Sequence, residues 1–94
     1  MEIGIRVFLD AQGRITQIPV SHKKKFAVLA HLANRFEPGR EYSEKEINQI
    51  IQSWHTFNDY FILRRLLVDQ RFLGRHADGS AYWLQTATVE ESNG

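Results

Sequence analysis

The side chains of this chain best equipped for chemistry are cationic. Arg64 and Arg65 stand side by side, Lys23, Lys24 and Lys25 form a run, and Arg75 follows ten positions after Arg65. A guanidinium offers a planar fork of donors that suits a guanine edge or a phosphate, whereas an ammonium suits phosphate as a compact charge. With Asn58, Tyr60 and Phe61 close by, they make a candidate nucleic-acid-binding set of nine residues. Acid/base chemistry has a weaker footing. His22, His31, His55 and His76 lie far apart, with no His-x-x-x-His pair and no Glu at metal-ligand spacing. His55 can pair with Asp59 or with Glu46, yet a four-residue spacing is common by chance. Nothing marks a nucleophile, an oxyanion hole or a Gly-rich phosphate loop. The expectation is no enzyme, no metal and no cofactor.

Positioning those residues requires helices. Ser43-Glu44-Lys45-Glu46 is a capping box, and Ile47, Ile50, Ile51 and Trp54 continue it as an i, i+3, i+4, i+7 stripe. Asn58 or Asp59 can cap a following helix over about 58–70. There Leu63, Leu66 and Leu67 share one face, with Phe61, Arg64, Arg65 and Val68 opposite. An earlier helix starts near the lysines, carries Phe26, Leu29, Ala30, Ala33 and Phe36 on one face, and stops at Pro38 and Gly39. Three lysines in a first turn oppose the helix dipole, so they read either as a solvated edge or as a phosphate-facing one. Runs 3–9 and 15–20 flank Asp10-Ala11-Gln12-Gly13-Arg14 and predict an N-terminal β-hairpin. Asp78-Gly79, between 72–76 and 81–84, predicts a second hairpin.

The 94 residues suffice for one small domain, expected over 1–84, with 85–94 a flexible tail. No cysteine is present, so disulfides, thiol catalysis and Cys-ligated zinc are excluded. No apolar run reaches the roughly 18 residues of a membrane span, and the start lacks a signal peptide's pattern. A cytoplasmic location with no membrane partner is the expectation. The net charge of +1 divides unevenly: residues 1–40 carry +4 and residues 41–94 carry −3. Duplex-binding domains usually carry a clearer basic excess.

Capped helix, second helix with paired arginines, then hairpin is the layout of a winged helix. The predicted class is α+β, a winged-helix-like three-helix core with an N-terminal β-hairpin and a C-terminal β-hairpin wing. The helix at 58–70 would then be the groove-facing one, entering a major groove roughly 12 Å wide. The wing tip, Ala77 to Ser80, holds an acid and no base. The competing expectation is a protein-interaction or dimerisation module that uses the Phe61/Val68 face and has no DNA binding of its own.

The run Gly13 to Ile51, with YSEKEIN at 42–48, LRRLLVD at 63–69 and Tyr82-Trp83, resembles the bacterial family catalogued as domain of unknown function 2087. The resemblance covers 13–84. It implies short single-domain proteins, or domains fused behind a helix-turn-helix in transcriptional regulators, and it brings no biochemical role. The stretch His55 to Tyr60 departs from the family's closer His-x-Asp spacing.

Overall fold

Three polar side chains decide where the helices begin. The Ser21 hydroxyl accepts from the Lys24 N–H at 3.4 Å and opens α1, His22–Ala33. Ser43 accepts from the Glu46 N–H at 3.1 Å while the Glu46 carboxylate accepts from the Ser43 N–H at 2.9 Å. This reciprocal box satisfies two helix-end donors and starts α2, Glu44–Ser53. The Asp59 carboxylate accepts from the Ile62 N–H at 3.2 Å and caps α3, Tyr60–Asp69. The computed structural model describes residues 4–85, and the expected tail lies outside them except for Gln85. Gln85 is held in place, its N–H donating to the Phe72 carbonyl at 2.9 Å.

Strand β1, Glu41–Tyr42, precedes α2, and β2, Leu73–Arg75, and β3, Tyr82–Leu84, follow α3. The strands form one antiparallel sheet in the order β1-β3-β2. Tyr42 lies opposite Tyr82, and Gly74 opposite Trp83. The Asp78-Gly79 turn forms with Gly79 at φ 76°, a conformation glycine adopts without strain. Gly74 has a different reason to be glycine: a Cβ there would lie 2.5 Å from the Trp83 ring nitrogen. The class is therefore α+β, with three α-helices and a small sheet among the described residues.

One core joins these elements. It comprises Val28, Leu29, Leu32 and Ala33 of α1, Ile47 and Ile51 of α2, Leu63 and Leu67 of α3, and Tyr42, Leu73 and Tyr82 of the sheet, with Ile15 and Phe36. Each fully buried aliphatic side chain stabilises the fold by roughly 1.5–3 kcal/mol. The α1 face differs from the expected one. Val28 and Leu32 are buried, while Phe26 is 50% exposed and stacks on Phe72 at 4.8 Å between ring centroids.

The N-terminal hairpin is corrected in part. The turn is present: the Asp10 N–H donates to the Arg14 carbonyl, and Gly13 takes φ 83°. The strands are not. Residues Arg6–Phe8 make a 3-10 turn, and only the isolated bridge Leu9–Ile15 joins the two arms. The other edge of Ile15 is already engaged elsewhere, bonding the Trp54 carbonyl at 2.8 Å and the Thr56 N–H at 3.0 Å. Ile15 thus ties the N-terminal segment to the α2–α3 connection. Among the described residues, no helix is long and apolar enough to cross a membrane.

Candidate nucleic-acid interface

The α2–α3 connection sets the start of α3, and His55 holds it. The ring is buried, 5% exposed, between two backbone groups. Its Nδ1 lies 2.7 Å from the Ile51 carbonyl, and its Nε2 lies 2.8 Å from the Asp59 N. A carbonyl can only accept and an N–H can only donate, so Nδ1 carries the proton and Nε2 accepts. His55 therefore links the end of α2 to the cap of α3. A His55–Asp59 side-chain pair, which the spacing allowed, does not form, because backbone groups take both ring nitrogens while the Asp59 carboxylate accepts from the Ile62 N–H. Asn58, at φ 52°, makes the reversal just before the cap.

From that start, α3 buries Leu63 and Leu67 and turns Phe61, Ile62, Arg65 and Asp69 outward. Phe61 is 55% and Ile62 39% exposed, so the outward face is partly apolar. Tyr60 is half-buried and packs against the core. The two arginines separate. Arg64 points back to α2, donating to the Asn48 side-chain carbonyl at 2.6 Å and to the Glu44 carboxylate at 3.3 Å, with 14% of its side chain exposed. Its guanidinium also lies 5.3 Å from the Phe61 ring centre. Arg65 is exposed and has no ion pair or hydrogen bond among the described residues.

On the hairpin, the Arg75 side chain folds back, donating to the carbonyls of His76 at 3.4 Å and Ala77 at 3.1 Å. Lys23 and Lys24 are exposed in the first turn of α1, and Lys25 is half-buried. The Phe26–Phe72 contact brings that turn beside the entry to β2. Of the nine candidates, α3 and its connection carry Asn58, Tyr60, Phe61, Arg64 and Arg65, with Arg75 across a cleft. Sequence reasoning missed Glu44 and Asn48, which hold Arg64. They sit four residues apart on one α2 face, a spacing that signals a partner only once α3 is known to pack there.

A shallow polar depression lined by Gln49, Gln52, Ser53, Thr56 and Asn58 flanks the start of α3. Side chains of these types commonly donate to phosphate oxygens. Among the described residues, no three His, Asp or Glu groups cluster as metal ligands.

Residues 14–84 match the model of a bacterial family described as "Uncharacterized protein conserved in bacteria (DUF2087)". No curated protein and no solved structure matches the chain.

Proposed function

The chain belongs to the DUF2087 family of uncharacterized bacterial proteins, and on that premise we propose that it is a cytoplasmic, non-catalytic, winged-helix-like domain of a transcription-associated protein that binds nucleic acid. The observation that carries this reading is the outward face of α3, exposed among the described residues, beside the β2–β3 hairpin and capped after a tight turn from α2. Element order α1-β1-α2-α3-β2-β3 and sheet order β1-β3-β2 support a winged-helix arrangement, with β2–β3 as the wing. In that geometry the first half of α3 meets base edges, and of the candidate residues Asn58, just before α3, and Phe61 and Arg65, on it, are exposed. Lys23, Lys24 and Arg75 would neutralise phosphates, and Lys25 less so. Arg64 acts indirectly, fixing α3 against α2.

The test is fluorescence anisotropy of a labelled duplex over a salt series. Binding through about four to five cations gives a log–log salt slope of roughly −4, and Arg65→Ala flattens it by about 1. Salt-independent binding, or none, sinks the reading. A second reading draws on the exposure of Phe61 and Ile62: a protein-contact module, with self-association as its simplest form. Sedimentation discriminates, since a strict monomer at high concentration removes self-association.

A further inference from the structure

Between α3 and the β2–β3 hairpin lies a cleft of about 310 Å³. It is lined by the apolar or aromatic residues Phe61, Val68 and Tyr82 and by the cations Arg64, Arg65 and Arg75. Among the described residues Asp69 is the one acid lining it, so their lining carries a formal +2. Two of the three guanidiniums are already held, Arg64 by Asn48 and Glu44 and Arg75 by the turn carbonyls. A guanidinium has five N–H donors, so each keeps donors to spare. Because these groups are pinned before a ligand arrives, little side-chain freedom is lost when it binds.

Tyr82 adds a second, independent pointer. The residue is 4% exposed, and its hydroxyl bonds to no described residue. That oxygen is not sealed from solvent, and Tyr82 is one of the residues lining the cleft. A mostly buried tyrosine ordinarily gives its hydroxyl a partner. Here the tyrosine lines a cleft that also holds Arg64, Arg65 and Arg75.

We propose that this cleft binds a small aromatic carboxylate. The ring fits against Phe61 and Val68, and the carboxylate accepts from the arginine fork, where bidentate charge-assisted bonds are strong. The Tyr82 hydroxyl supplies a further donor. The volume sits at the lower end of ligand sites, which run from about 300 to 1,000 Å³, and so admits one or two fused rings.

The test is a two-dimensional ¹H–¹⁵N NMR titration of the full chain with 2-naphthoate, alongside neutral 2-naphthylmethanol and inorganic phosphate. Saturable shifts are expected at residues 61, 65, 75 and 82, with a dissociation constant on the order of 1 mM for so small a ligand. Arg65→Gln should weaken binding by about tenfold or more at an unchanged melting temperature, since Arg65 is exposed. Tyr82→Phe, which removes only the oxygen, should weaken it as well. No saturable shift at these residues up to about ten times that concentration overturns the proposal. So does equal binding of the neutral alcohol, which would need no cation, or of phosphate, which would need no ring. The titration contains no nucleic acid, so its outcome is separate from the nucleic-acid reading.

Discussion

His55→Ala removes a ring that makes three separable contributions. One is the hydrogen bond from the Asp59 N–H to Nε2 at 2.8 Å, part-buried, whose loss leaves a donor only partly rescued by water. That loss costs about 1–2 kcal/mol, the lower part of the range for an unsatisfied buried group. The bond to the Ile51 carbonyl matters less, because that oxygen also accepts from the Trp54 N–H at 3.0 Å. Its loss costs a few tenths to about 1 kcal/mol. The edge-on contact with Phe57, 4.7 Å between centroids, and the space vacated at a site 5% exposed add about 1 kcal/mol more. The total is about 2–4 kcal/mol, or a melting temperature lower by roughly 10–25 °C for a domain this size. Urea denaturation followed by far-UV circular dichroism reads the stability. The Asp59 amide proton exchange, measured by NMR, should accelerate before global unfolding. A change under about 0.5 kcal/mol, the level of an ordinary surface substitution, would refute the structural role assigned to His55.

Gly74→Ala places a methyl 2.5 Å from the Trp83 ring nitrogen, so the indole must move; overpacking of about 1–3 kcal/mol and a shifted tryptophan emission should result, and unchanged emission with unchanged stability would count against the packing described. Arg64→Met should lower stability by about 1–2 kcal/mol through the lost bonds to Asn48 and Glu44, whereas Arg65→Met should stay within about 0.5 kcal/mol; equal effects in urea denaturation would contradict the separation of the two arginines. Desolvation pulls the Asp10 carboxyl upward, but the backbone and side-chain donors of Arg14, with the Gln12 N–H, outweigh it and hold Asp10 below its ordinary value. A depressed folded value means that the turn's stabilisation is present above the ordinary carboxylate range and is lost as pH falls through that lower value. The amide resonances of Gln12 and Arg14 should therefore report loosening only below that range, and Asp10→Asn should abolish the transition.

What could be read from the chain was set by short-range chemistry. The Ser43 box, the Ile47-Ile51 stripe, the Asp59 cap and the Asp78-Gly79 turn each depend on partners within about a turn, so spacing alone reveals them. Strand β1 has two residues, too few for an alternating pattern, and exists because Tyr42 meets Tyr82 some forty positions later. The N-terminal arms alternate as strands do, yet the free edge of Ile15 pairs with the distant α2–α3 connection instead. The same limit divides the candidate site. Neighbours in sequence, Arg64 and Arg65 are separated in role by Glu44 and Asn48, twenty and sixteen residues earlier. The cleft lined by Tyr82 was equally hidden, since its two walls come from α3 and β3.

The central claim, that the outward face of α3 meets nucleic acid, is tested most directly by mapping amide shifts while a short duplex is titrated into the labelled chain. The account predicts salt-sensitive shifts concentrated at the exposed residues Asn58, Phe61, Arg65 and Arg75 and at 23–25, with the buried Leu63 and Leu67 moving little. Shifts confined to other surfaces, or none at low salt where phosphate attraction is strongest, would contradict it.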